Sequence, residues 1–323
     1  MDEVAREFAS KVAALLDGWR AIEVEAVDRL SYGDPSGFPG AVASEVRTHY
    51  IETAGGQRFQ EVRARLSDGR DKLGGQDYCD GARCAEVMFH EGDPTRQRSI
   101  TISSSFAGEN SGLETQRPLP LRFLYVGLKP LPQALREGAE HVGQETLLDR
   151  PCDVFLFRDV PSTAGKVILR YSLDSATGVP LAIQWFKDQG ALQAGTPYRS
   201  WQAVRFETRE GLPMVVEGKQ VTYRDGSTVP FDQSESKVVN LRLNQDYPAS
   251  TFWPEPQSGV TVRDTFTGKI ETIAGREPPG ATTSTATPIR ADGVPAWDPA
   301  QAVMLGLGLA LVAVAGALWW RNR

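Results

Sequence analysis

The chain has 323 residues, enough for one large all-β domain or two average ones. Its composition, 41% hydrophobic and 24% charged, is that of a globular protein, and a net charge of −6 argues against a nucleic-acid binder, which would carry a basic face. Three cysteines (Cys79, Cys84, Cys152) and three histidines (His49, His90, His141) lack zinc-ligand spacing, so neither a metal site nor a cofactor is expected.

The first element reads as a helix: Val4, Phe8, Val12, Ala13, Leu15 and Leu16 recur at helical spacing, and Gly18 supplies a stop. From Ala21 the period drops to two. Ile22, Val24 and Ala26 alternate with acids, Val62, Ala64 and Leu66 with arginines, and Ile100 and Ile102 with hydroxyls. Further on come Val167, Leu169, Tyr171 and Leu173, then Leu181, Ile183 and Trp185, then Val239, Leu241 and Leu243. One apolar and one polar face per strand predicts an antiparallel sheet wetted on one side. In "YCDGARC", Asp80 to Arg83 form a four-residue hairpin loop that sets Cys79 opposite Cys84, where a disulfide is feasible in an oxidising compartment. In the cytosol the same residues would be two ordinary thiols, and Cys152 reads as a small buried strand residue.

Residues 118–138, "PLPLRFLYVGLKPLPQALREG", break the alternation and predict one or two short helices with prolines at their starts. "LDSATGVPLAIQWF" is a hairpin turning at Gly178. A curved sheet with one apolar face must be covered, and the N-terminal helix and the 118–138 insert are the candidates. The predicted fold is mainly β (α+β): a curved antiparallel half-barrel over residues 1–275, enclosing either a solid core or a ligand cavity.

This order, together with Gly143-x-Glu145 leading to Arg150-Pro151-Cys152 and with Asp174-x-x-Thr177-Gly178-x-Pro180, resembles the LolA/LolB-like lipoprotein-localisation superfamily. The resemblance covers residues 1–275 and implies an apolar pocket that holds or senses acyl chains or a hydrophobic peptide. The chain departs from the LolB-type receptors in having no N-terminal lipidated Cys, and from the soluble LolA-type shuttles in its C-terminal tail.

Residues 276–301, rich in Thr, Ala, Gly and Pro, read as a flexible linker. Residues 302–320 carry no charge, and about 20 apolar residues suffice to cross a bilayer core of about 30 Å. Leu305, Leu309 and Val312 lie within this predicted anchor, Trp319 and Trp320 at its interface end, and Arg321 and Arg323 beyond it on the cytoplasmic side. The body is thus expected outside a bacterial inner membrane. The first twenty residues have no signal-peptide pattern, so this placement expects the true start to lie upstream; the alternative is a tail-anchored protein with a cytosolic body. The tail also resembles, weakly and without its Pro-Glu-Pro, a bacterial C-terminal sorting signal.

The expected function is a membrane-tethered binding protein for a lipid or lipoprotein acyl chain. Its cavity candidates are Val62, Ile100, Ile102, Leu169, Tyr171, Leu181, Ile183, Trp185 and Leu241. The alternative is an envelope sensor or scaffold that binds a partner protein and fills its interior with its own helices. Ser111 in "ISSSFAGENSG" lacks the G-x-S-x-G elbow, and the acidic pairs fall in turns and on polar faces, so no catalytic role is expected.

Overall fold

The computed structural model describes residues 2–32, 43–90, 93–103, 117–127, 129–162, 165–224 and 229–274. The chain opens with α1 (Glu3–Asp17), whose N-cap Asp2 accepts a hydrogen bond from the Val4 amide and whose end is closed by Gly18. Ala5, Phe8, Ala9 and Val12, at i, i+3, i+4 and i+7, are all at most 2% exposed, so one stripe of the helix is buried. A first meander follows: β1 (Ala21–Tyr32), β2 (Ala43–Thr53), β3 (Arg58–Leu66), β4 (Asp71–Cys79), β5 (Cys84–His90) and β6 (Asp93–Ser103). The insert then contains a two-stranded ribbon, β7 (Tyr125–Val126) with β8 (Lys129–Pro130), and α2 (Leu131–Gly138), entered through prolines.

A second meander comprises β9 (Glu140–Leu147), β10 (Arg150–Ser162), β11 (Gly165–Asp174), β12 (Pro180–Phe186), β13 (Arg199–Arg209), β14 (Leu212–Tyr223) and β15 (Pro230–Leu243), with the short α3 (Gln189–Gln193) after β12. The hairpin β16 (Thr261–Asp264) and β17 (Ile270–Thr272) ends the described chain. Among the described residues fifteen strands form one sheet, in the order β17-β16-β6-β5-β4-β3-β2-β1-β15-β14-β13-β12-β11-β10-β9. The first strand pairs with the last of the second meander, and that pairing joins the two halves. One pair, β16 with β6, is parallel, where the alternation had predicted antiparallel pairing throughout.

The sheet is curved, and the core requires it. Tyr50 on β2 and Phe155 on β10 belong to one buried cluster, although seven strand spacings, about 34 Å on a flat sheet, separate their strands. A single helix about 10 Å across cannot fill that width. Yet the ring of Phe8 meets that of Phe155 at 5.1 Å, and α1 ends against Leu212 of β14. The apolar face therefore wraps around the helix.

The sheet does not keep all its apolar residues on that face. Ile51, Phe59, Tyr78, Ala85 and Ile102 pair in one transverse row, next to Tyr50 and hence on the opposite side. Ala85, Val87, Ile100, Val260 and Val262 form a second core there, with Trp253 packed against it. The expectation of a single apolar face is corrected by this register. Alternation shows that a strand has two kinds of face, not which side of the sheet the apolar one takes.

No helix among the described residues is long and apolar enough to cross a membrane. The predicted linker 276–301 and the anchor, with Leu305, Leu309, Val312, Trp319, Trp320, Arg321 and Arg323, lie outside the described residues.

Candidate functional site

The face wrapped around α1 is the candidate site, because the helix and the insert cover it without backbone pairing to the sheet. Leu169, Tyr171, Leu181 and Ile183 are 0% exposed there and Trp185 only 3%. Leu241 packs at the edge of the same core, half-buried. Val62 lies on this face, paired with Thr48, but outside the core cluster. Ile100 and Ile102 belong to the second core on the other side of the sheet. The nine residues nominated from alternation thus do not line one cavity. Val239, read as a partner of Leu241, is instead the extra residue of a β-bulge between β1 and β15 and stands 59% exposed.

The cover is apolar inside and pinned by polar groups. Phe123 lies 4.2 Å from the ring of Trp201 and 6.2 Å from that of Trp185, while Leu131, Ala134 and Leu135 of α2 are buried in the same cluster. Arg122, 7% exposed, reaches the sheet: its Nη2 donates to Asp28 Oδ2 at 2.8 Å and its Nη1 to Ser236 Oγ at 2.9 Å. Ser236 donates in turn to Asp28. Arg117 donates to Glu52 and stacks over the Tyr125 ring at 4.1 Å, and the Tyr171 hydroxyl donates to the Tyr125 carbonyl. The pins to the sheet were invisible in sequence, because each joins residues tens of positions apart.

The two motifs that carried the family resemblance are structural. Asp174, 0% exposed, accepts from Arg150 Nε at 2.6 Å and from the amide and hydroxyl of Thr177, which closes the turn. Burial pushes the Asp174 carboxyl up, but these bonds outweigh it and hold its pKa below the usual carboxylate range. Gly178 has φ +76°, and a Cβ there would stand 3.1 Å from Lys11 and Val12 of α1. Lys11 Nζ also donates to the Ser175 carbonyl at 2.7 Å. The signature turn is the seat of the helix. Glu145 takes Arg170 and Ser172, which hold its carboxyl low against its burial.

Ser175, Asp153 and His141 come together, but not as a nucleophile and its base. The Ser175 hydroxyl donates to Asp153, and His141 Nε2 bonds the other oxygen of the same carboxylate at 2.9 Å. The imidazole is not placed to take the hydroxyl proton. Cys152, fully buried, has its thiol pushed up to about 11 by that burial and by Asp174. Cys79 and Cys84 pair across the β4–β5 hairpin and are joined by a disulfide, with their Cα atoms 4.2 Å apart.

Where the cover meets the end of α1 an apolar seam opens. Leu15 and Trp19 form one wall, Leu121 and Leu124 the second, Leu212 and Met214 the third. As it stands the seam leaves about 20 Å³, the room of one water molecule.

No protein-family profile and no curated protein matches the sequence. In structure the chain is similar to a DUF1329 family protein from Desulfovibrio piger, at 12% identity over 78% of this chain and 98% of that one, with a TM-score of 0.45. It is similar to a LolA superfamily protein from Nitrosomonas europaea at 11% identity over 77% of this chain and 97% of that one, TM-score 0.45. An outer membrane lipoprotein-sorting protein domain from Vibrio parahaemolyticus matches at 11% identity over 76% of this chain and 95% of that one, TM-score 0.45. The superfamily that the sequence order resembles is among these likenesses.

Proposed function

We propose that this chain is a binding protein for a hydrophobic ligand, a lipid or lipoprotein acyl chain, taken up at the seam when the cover lifts. The observation that carries this reading is the seam's lining: its residues, from α1, β1, the insert, the β11–β12 turn and β14, are all hydrophobic, at the edge of a segment held to the sheet by a few polar pins. Lifting Leu121, Phe123 and Leu124 exposes three apolar side chains, at about 1.5–3 kcal/mol each, on the order of 6 kcal/mol in all. Burying an acyl chain of about twelve carbons contributes about 0.8 kcal/mol per CH₂, close to 10 kcal/mol. With the Arg122 pin also broken, the two sides are of similar size, so cover and ligand compete for the same apolar face. The curved sheet then acts as a half-barrel with a hinged lid, and no covalent chemistry is involved.

In this reading the body stands on the extracytoplasmic side of a bacterial inner membrane, tethered through residues 302–320. The Cys79–Cys84 disulfide supports that side, since such bonds persist in oxidising compartments. A second reading, an envelope sensor or scaffold that binds a partner protein, is favoured by one observation: the interior is already filled by Phe8, Val12 and Phe123.

Native mass spectrometry of the full chain, purified from an oxidising compartment and released from detergent, tests the choice, with binding of dansyl-undecanoic acid as a second readout. A bound lipid mass and saturable dansyl fluorescence, both lost in Trp19→Arg at the half-buried mouth, are expected. An apo mass with no dansyl binding would overturn the ligand reading in favour of the partner-binding one.

A further inference from the structure

The face of the sheet turned away from α1 carries a groove of about 720 Å³ over β1, β2, β3, β13, β14 and β15, a volume within the range of ligand sites. The register sorts its charges. Arg63, Arg47, Val27 and Lys237 pair in one transverse row across β3, β2, β1 and β15. Neighbouring strands are about 4.8 Å apart, so Arg47 and Lys237 flank the uncharged Val27 at about 10 Å, and their side chains are long enough to converge above it. Arg47 stands directly opposite Arg63, a like-charge pairing that is unfavourable in a sheet.

Acids are present in equal number in the groove lining, but they do not occupy this position. Glu45 and Glu61 lie two residues along the same strands and take only the Nε of Arg47 and Arg63, at 2.8 and 2.7 Å, their other oxygens facing Arg29 and Gln76. The Nη1 and Nη2 donors of both guanidinium groups make no hydrogen bond among the described residues, and the two side chains are 66% and 57% exposed. Lys237 shares Glu217 with Arg205. Two paired forks with free terminal donors beside a lysine are the geometry that recognises a tetrahedral oxyanion.

The groove is also partly apolar, and by construction. Two β-bulges expel one residue each, Val204 between Ala203 and Arg205 and Val239 beside β1. Both line the groove, 55% and 59% exposed. Bulges re-aim side chains at functional surfaces, and here they set aliphatic groups beside the cationic row.

We propose that this groove binds a phosphate-bearing anion, with Arg47 and Arg63 holding the phosphate oxygens, Lys237 closing the far side, and Val204 and Val239 contacting the organic part of the molecule. The chemistry is shared by a phospholipid headgroup and a soluble phosphate ester. The site lies on the opposite face from the seam and does not rest on the acyl-chain reading.

The test measures binding of inorganic phosphate by calorimetry, and co-sedimentation with vesicles of phosphatidylglycerol and phosphatidylcholine against phosphatidylcholine alone. It compares the full chain with Arg47→Gln/Arg63→Gln; both proteins carry the same C-terminal tail, so their difference reads the groove. Lys72→Gln, on the other face, is the control, and thermal melts confirm that the exposed substitutions leave the fold intact. We expect a loss of about 10-fold or more in phosphate affinity in the double variant and none in the control. A matching loss of anionic-vesicle binding identifies a lipid headgroup; phosphate binding without it identifies a soluble ester. Phosphate binding that is absent from the full chain, or unchanged in the double variant, overturns the proposal.

Discussion

Asp77 gives the fold a pH dependence that one substitution isolates. It sits mid-strand on β4, opposite Gln60 of β3 and Glu86 of β5, and its Oδ1 is buried without a hydrogen-bond partner among the described residues. Burial, and then the Glu86 charge, push its pKa up to about 7. In the unfolded chain the value returns to about 3.9. The folded state therefore holds this proton more tightly. The stabilisation is fully present below about pH 4 and is lost as pH rises through about 7. At about 1.36 kcal/mol per unit, the three-unit gap corresponds to at most about 4 kcal/mol, of which roughly 2–3 kcal/mol is lost between about pH 5 and about pH 8. Asp77→Asn keeps the shape and removes the charge. Urea unfolding at both pH values should find the variant's stability relative to the parent higher at the upper pH than at the lower one by about that amount. Glu23, Glu61, Glu145, Asp153 and Asp174, whose pKa values are lowered in the fold, act in the opposite direction, but they are common to both proteins and cancel in the difference. A pH-independent difference between the two proteins would refute the reasoning.

Arg122→Met removes the pin between cover and sheet and leaves Asp28 without its cation; it should cost about 3–5 kcal/mol and open residues 117–130 to protease, with Asp28→Asn on top restoring part of the stability. Gly178→Ala meets both a left-handed backbone and α1 at 3.1 Å, whereas Gly165→Ala, at φ +97° with nothing within 4 Å of the added carbon, meets the backbone term alone. Each should lose about 1–2 kcal/mol from the backbone, and chemical denaturation should find Gly178→Ala the worse of the two. Reducing Cys79–Cys84, which closes a loop with a sequence separation of 5, should lower unfolding free energy by about 2 kcal/mol. Thiol titration of the native protein should find no reactive group, and one after unfolding, because Cys152 is buried.

The local elements were legible because local chemistry sets them. The stripe Phe8–Val12 gave α1, Asp80–Arg83 gave the β4–β5 turn, and Pro130 and Pro132 gave the start of α2. Leu169 to Trp185 were readable as one face because Leu169 pairs with Trp185 and Tyr171 with Ile183, and Leu181, the extra residue of a bulge in the same hairpin, stays in that core. A bulge does not always keep its residue there. Val239 follows Val238 into the sheet, yet the extra residue turns it to solvent, and no property of valine announces this. The Arg122 pin depends on which segments become neighbours, a long-range choice that the local pattern does not contain, and the Arg47–Arg63 pairing depends on the register of the β2–β3 hairpin. The turn Asp174–Gly178 lies between these cases: its residue types predicted a turn, but not that α1 rests on it.

The switch of apolar face along the sheet accounts for where the polar features gather. In the part of the sheet that runs from β1 through β15 to β10 the main buried cluster points toward α1, with a small one (Leu156, Ile168, Phe186) on the other side under α3, and at β5, β6 and β16 the buried residues point away from α1. Strands β2 and β3 stand between the two cores, and much of neither side is apolar. On one side Thr48, Glu52 and Gln60 are buried, with Arg58 and Arg117 both paired to Glu52; on the other lie His49, Arg47, Glu61 and Arg63. Most positions of β2 and β3 are polar and the hydrophobic term that fixes their register rests on few residues, so cross-strand ion pairs and hydrogen bonds must add to it. That requirement accounts for Glu52 and for the His49–Glu23 pair, which hold strands to one another or to the insert. It does not account for Arg47 opposite Arg63, because a register-fixing design would place an acid at one of the two positions. The exception within an otherwise consistent polar zone is what marks the groove, rather than the charge density there, as the place where an anion from outside belongs.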